Sequence, residues 1–241
     1  MFKPLENSKV RILQSESLLP WWIFRIPTIN GWLVSLKTMP IRNWIFQQIL
    51  KLSISDLTEA EIIQFVDSDV TLLRPFDPAY LVRGDLVRLQ HTQFAGPDHA
   101  RWLDIARAIL GLSEDVALSG NYVGNFITWR RSNLIAMKQF ITERTGRSWI
   151  RTVASRIRFS EYMLYGIFAD HVLGRDQSGH FHDDSPNLAL CWDYDLHTEE
   201  GMARFFDSLT PEDFGIMIHS KYNIPFESYR SKVEQLWQRW D

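Results

Sequence analysis

The sequence predicts an α/β fold. Three observations carry this: short apolar runs bounded by polar residues, longer segments with apolar residues at helical spacing, and the alternation of the two along the chain. The 241 residues are 45% hydrophobic and 23% charged, enough to bury a core without a staple. The single cysteine, Cys191, excludes an intrachain disulfide and a multi-cysteine zinc site. No repeat or low-complexity linker interrupts the chain, so 1–241 reads as one domain. A net charge of -3 argues against a polybasic nucleic-acid binder. No stretch reaches the roughly 18 apolar residues of a membrane span. Met1–Arg11 also lacks the apolar core of a signal peptide, so a cytoplasmic protein without a transmembrane segment is expected.

The elements follow in order. Val10–Gln14 is a short strand candidate, and Leu18–Met39 reads as irregular or as short strands around Pro20, Pro27 and the turn signal Asn30-Gly31. Four of the ten tryptophans (Trp21, Trp22, Trp32 and Trp44) fall early. Core packing is the first reading for them; an aromatic membrane-interface or sugar-stacking surface is the alternative, which leaves peripheral membrane contact open. Ile41, Trp44, Ile45, Ile49 and Leu52 recur at helical spacing, predicting a helix over Pro40–Leu57 with Lys51 off its apolar stripe. Glu61–Asp67 reads as a buried strand. Asp98–Leu112 is helical, and Asn125–Trp129 is a strand. Ser132 is the expected N-cap of a helix to about Arg144, with Gly146 past its end. Ser160 caps a helix over Glu161–Leu173, stopped by Gly174. Leu188–Trp192 and Gly215–His219 are strands. Tyr229, Val233, Leu236 and Trp240 mark a terminal amphipathic helix.

The most informative stretch runs from Glu61 to Phe76, where Asp67-Ser68-Asp69 follows the apolar strand. In extended backbone, positions i and i+2 point the same way, so Asp67 and Asp69 are expected to converge on one cation. Ligands of open α/β sheets bind beyond the carboxyl ends of strands. Oxygen ligands suit Mg²⁺ or Mn²⁺, usually shared with substrate phosphates. A solvated turn is the bland alternative. His180, His182, Asp183 and Asp184 have spacing that could chelate a transition metal, but a polar loop is expected there.

Four segments carry a family resemblance: Trp44-Ile-Phe-Gln-Gln-Ile-Leu-Lys51-Leu, Asp67-Ser-Asp69 with Arg74-Pro75-Phe76, Ser160-Glu161-Tyr162-Met-Leu-Tyr165-Gly166, and Ile218-His219-Ser220-Lys221. In this order, over about Gly31 to Tyr222, they resemble GT-A-type glycosyltransferases, closest to an uncharacterised bacterial group with that fold. The resemblance implies a mixed sheet flanked by helices, with Asp67 and Asp69 holding Mn²⁺ or Mg²⁺ against the diphosphate of a nucleotide-sugar donor. It implies His219 as a further metal ligand, Lys221 and Lys51 as donor-binding residues, and Glu161 as the base that takes the proton of a glycan or other hydroxyl acceptor. Gly120 to Trp129 resembles the loop and strand against which acceptors lie. Only 66 residues precede Asp67, so the opening nucleotide-binding portion is expected to be shortened.

Two rival readings stay open. A non-catalytic protein of the same fold, acting as a binding or scaffold protein, fits the short opening portion. Asp67-Ser-Asp69-Val-Thr71 also fits the nucleophile motif of haloacid-dehalogenase-like phosphatases, with Asp183 and Asp184 as later Mg²⁺ ligands. Against the latter, Leu-Leu-Arg74-Pro75-Phe76 stands where that fold has a Gly-rich turn.

Overall fold

A computed structural model describes residues 3–26, 31–93, 96–185 and 188–240. The Asn30 half of the expected Asn30-Gly31 turn, and Pro27, lie outside the described residues. The chain divides into two compact units, each assembled from three separate segments. The first comprises Met1–Glu61, Phe94–Asn121 and Arg130–Ser178; the second comprises Ile62–Gln93, Tyr122–Trp129 and Gly179–Asp241.

In the first unit, β1 (Ile23–Phe24), β2 (Trp32–Ser35) and β3 (Ile41–Arg42) form an antiparallel sheet in that order. No strand forms over Val10–Gln14, a correction to the sequence reading. Four of its five residues are exposed, so its apolar residues have no layer to pack against. Helix α1 (Asn43–Ser53) buries Ile45, Ile49 and Leu52 of the expected stripe, together with Phe46, whereas Trp44 is exposed. It starts later than the sequence suggests because Ile41 and Arg42 pair with β2. Helix α2 (His99–Leu110) ends at Gly111, whose φ of 67° is the left-handed conformation glycine adopts without steric cost.

Helix α3 (Arg131–Thr145) ends, as expected, at Gly146. Its start differs from expectation. Ser132 lies inside the helix, and the carboxylate of Glu61 accepts hydrogen bonds from the Ser132 backbone N–H (3.2 Å), its hydroxyl (2.5 Å) and Arg130 Nε (3.0 Å). A carboxylate from 71 residues earlier therefore does the work of the N-cap. Burial alone would raise the Glu61 carboxyl; the hydrogen bonds from Ser132 and Arg130 outweigh it and hold the group below its ordinary value.

Helix α4 (Trp149–Ala154) precedes α5 (Glu161–Ile167), which Ser160 caps by accepting the Met163 N–H at 3.3 Å. The expected single helix to Leu173 instead widens into a π-helical stretch over Phe168–Gly174. Gly174, at φ 86°, ends it, and α6 (Arg175–Ser178) follows.

The second unit holds β4 (Ile62–Val66), β5 (Val70–Leu72), β6 (Val82–Arg83), β7 (Leu86–Gln90), β8 (Phe126–Arg130), β9 (His180–Asp183), β10 (Leu188–Leu190) and β11 (Gly215–Met217). They form small sheets ordered β4-β8, β6-β7-β9 and β10-β11-β5. The last two are mixed: β7 and β9 run parallel, as do β10 and β11, while β6 and β5 join antiparallel. Helices α7 (Glu199–Asp207) and α8 (Arg230–Trp240) supply Phe205 and Val233 to a core with Leu73, Cys191 and Ile216, all fully buried. Each such apolar side chain contributes about 1.5–3 kcal/mol by leaving water.

Gly215 sits where a Cβ would lie 2.6 Å from the Thr71 carbonyl oxygen, so only glycine permits this approach of β11 to β5. Two expectations are corrected here. Strand β4 is half-buried rather than buried, with Ile63 inside while Ile62 and Val66 are exposed. The His180–Asp183 segment is a strand and not a loop. No helix among the described residues is long and apolar enough to cross a membrane.

Candidate functional site

The Asp67 segment leaves the sheet as a turn. Val70 N–H donates to Asp67 O at 3.1 Å, so Asp67-Ser68-Asp69 is bent, not extended, and the same-side argument from strand periodicity does not apply. What the structure does bring together is Asp69 and the Ile218–Lys221 segment. Strands β5 and β11 pair in the register Met217↔Val70, and one step beyond the ladder Ile218 N–H donates to Asp69 O at 3.2 Å. The Asp69 carboxylate then accepts the Ser220 N–H through Oδ2, also at 3.2 Å, across 151 residues of sequence. Asp67 N–H donates to the Asn125 carbonyl at 3.4 Å, tying it to the segment that leads into β8.

His219 caps the short 3-10 turn Ser220–Tyr222, its Nδ1 accepting the Lys221 N–H at 3.1 Å. This bond leaves Nε2 as the protonated nitrogen of the neutral ring. The His219 ring lies 5.1 Å from that of Trp192, and Lys221 Nζ sits 4.5 Å over the same indole. Trp192 follows β10 and His219 follows β11, so the two parallel strands deliver both rings at their carboxyl ends. Trp192 is 43% exposed, an open aromatic face flanked by a cation and an imidazole. Sequence reasoning missed it, although it closes the Leu188–Trp192 strand candidate and the strand-end rule applied to Asp67 would have found it.

Behind this rim stands Tyr229, whose phenol burial pushes above its ordinary value; the negative charge of Asp69 adds to the effect and a hydrogen bond with Thr71 opposes it. Asp67, Asp69 and His219 carry oxygen, oxygen and nitrogen donors, a combination that suits Mn²⁺, but among the described residues their ligand atoms are not gathered into one cluster. To ligate a metal through either nitrogen, the neutral His219 ring would have to give up the Lys221 N–H: Nδ1 is occupied by it, and freeing Nε2 moves the proton onto Nδ1.

Lys51 and Glu161 form a second constellation, wholly inside the first unit. Lys51 Nζ is 3.2 Å from Glu161 Oε1 and 2.6 Å from the Tyr162 hydroxyl, which it meets as donor. The Glu161 side chain is 6% exposed and that of Lys51 24%. Glu161 N–H donates to Gln48 Oε1 at 3.1 Å, so one turn of α1 supplies two of the groups that hold Glu161. Gln48 Nε2 is buried and has no partner among the described residues. Lys51 lies off the apolar stripe of α1, but on no continuous polar face: Gln47, one turn before it, is exposed and Ser55, one turn after, is fully buried. Tyr165, in the same segment, accepts the Arg130 N–H at 2.8 Å and is fully buried, which raises its phenol.

A third polar cluster explains the His180–Asp184 segment. Arg88 is fully buried, and its Nε donates to Asp183 Oδ2 at 2.5 Å. Tyr80 (3.1 Å) and Ser185 (2.8 Å) donate to the same carboxylate, one to each oxygen. Burial alone would raise the Asp183 carboxyl, and the hydrogen bonds from Arg88 and Ser185 outweigh it and hold the group low. His180 Nδ1 bonds the Val87 carbonyl at 2.9 Å, and His182 stacks on His91 at 4.1 Å. This is strand-to-strand pairing through side chains.

No curated protein matches the chain. A family model described as a family of unknown function (DUF6492) matches residues 1–239.

Proposed function

The chain belongs to that family, so its function has to be read from its own residues, and we propose that it is a metal-dependent glycosyltransferase using a nucleotide-sugar donor. One observation carries the reading: the Asp69 carboxylate meets the backbone of Ser220 across 151 residues, tying the Asp67-Ser-Asp69 turn to the His219–Lys221 turn. It brings one carboxylate of the acidic motif to the turn that carries His219, which supports a cation shared with a diphosphate there. In this reading Asp67, Asp69 and His219 hold Mn²⁺ or Mg²⁺, which when bound neutralises charge on a departing nucleoside diphosphate.

Lys221 and Trp192 offer that diphosphate a point charge and its base or sugar a ring to stack on. Glu161 is proposed as acceptor-side base and Lys51 as donor-binding on the resemblance alone. The acceptor is proposed as a glycan or another hydroxyl compound. The Lys51–Glu161 ion pair favours a second reading, a non-catalytic binding protein, because a carboxylate only 6% exposed and already engaged by an ammonium has little room to meet an acceptor hydroxyl.

Calorimetry with Mn²⁺ and UDP or GDP tests the choice. The transferase reading expects metal and nucleotide to bind in mutual dependence, and Asp69→Asn to abolish the metal-dependent part with the fold retained. Failure of both nucleotides to bind leaves the non-catalytic reading. Phosphate release from an aryl phosphate ester through a phospho-Asp67 intermediate would favour the phosphatase.

A further inference from the structure

The first unit carries a cavity of about 420 Å³, within the range of about 300–1,000 Å³ typical of ligand pockets. Its walls come from β2, β3, the start of α1 and the turn after α4, through residues that include Trp32, Met39, Ile45 and Ile157. Ile45 is buried, whereas Met39 and Ile157 are 69% and 67% exposed, so apolar side chains run from the floor of the cavity out to water. Among the described residues, the only charged ones lining the cavity are Arg42 and Arg156. Neither makes an ion pair among the described residues, and Arg156 Nε is buried without a hydrogen-bond partner there. The Arg42 guanidinium sits 5.9 Å over the Trp32 ring. The turn before β1 and the loop after β2 also expose Trp21 and Leu36, with Lys37 Nζ 5.2 Å over the Trp21 ring.

An apolar cavity whose described lining holds two guanidinium groups outside any ion pair, and no carboxylate, is complementary to an amphiphile with an anionic head. Exposed tryptophans beside lysine and arginine are the side chains that settle at a bilayer's headgroup level. We propose that this face docks on anionic membrane surface, seating one acyl chain of a phospholipid in the cavity and its phosphate on Arg42 and Arg156. The docking stands independently of the transferase reading.

The test is cosedimentation of the full chain with vesicles of equal parts phosphatidylglycerol and phosphatidylcholine, against vesicles of phosphatidylcholine alone. Binding is expected to the first and not to the second. Arg42→Gln with Arg156→Gln should weaken it about 30-fold, roughly fivefold for each cation lost near an anionic surface. Ile157→Asp, at an exposed position where folding tolerates charge, should weaken it at least as much by placing a carboxylate at the cavity mouth. Equal binding to both vesicles, or wild-type binding by Ile157→Asp, overturns the proposal. So does stabilisation by monomeric decyl phosphate without vesicle binding, which would make the cavity a site for a soluble amphiphile.

Discussion

Asp183 and Asp69 are both aspartates at the margins of short strands in the same unit, and they have opposite surroundings. Asp183, its side chain 9% exposed, receives Arg88, Tyr80 and Ser185. Among the described residues, Asp69 accepts one side-chain hydrogen bond, from a backbone N–H, and is half-buried. The difference shows where a carboxylate can still act. One whose lone pairs are taken up by partners in the interior holds strands β7 and β9 together. One at a turn, with an oxygen to spare, remains available to a cation or a ligand.

The largest test of that contrast is Asp183→Ala. It leaves the Arg88 cation buried without its counter-charge and should destabilise the fold by about 3–5 kcal/mol in urea unfolding. A value near zero would place Asp183 in the same class as Asp69.

Acid sharpens the contrast next. The folded Asp183 carboxyl lies below its ordinary value of 3.8, so the stability it contributes is complete above that pH and is lost as pH falls through the lower folded value. Glu61 behaves in the same sense from its own ordinary value of 4.5. Urea midpoints measured down through this window should fall for the wild type and fall less steeply for Asp183→Asn. The smallest effect is expected from Asp69→Asn, within about 0.5 kcal/mol of wild type at neutral pH, because a surface polar change away from a buried network costs little. A loss comparable with that of Asp183→Ala would make Asp69 a structural residue and weaken its assignment to a metal.

Periodicity and caps revealed the helices, since Ile45, Ile49 and Leu52 in α1, Gly111 and Gly146 at helix ends, and Ser160 ahead of α5 act locally. The misreadings lie where a distant residue decides. Ser132 looks like an N-cap until Glu61 takes the helix end. Ile62 and Val66 look buried because their apolar run carries no sign of the exposure β4 has. His180 to Asp183 looks like a loop because Arg88, which makes a polar strand affordable, is far away in sequence. The candidate site was partly legible for the same reason. Asp69, His219 and Lys221 are visible as motifs, but the turn that bends Asp67 away from strand geometry and the indole of Trp192 between His219 and Lys221 emerge only from the fold.

The interleaving of the two units has a consequence during synthesis. The second unit begins at Ile62, yet β9, β10 and β11, which complete two of its sheets, lie after Gly179. At about 5–20 residues per second a ribosome takes roughly 4–18 s from Gln90 to His180, where β7 meets β9, and roughly 7–29 s from Leu72 to Gly215, where β5 meets β11. For that time the edges of β5 and β7 are exposed with their eventual neighbours unmade, while the helices of the first unit emerge between them. A chaperone that shields extended apolar segments would therefore find its substrate in the nascent chain well before the last helix is translated.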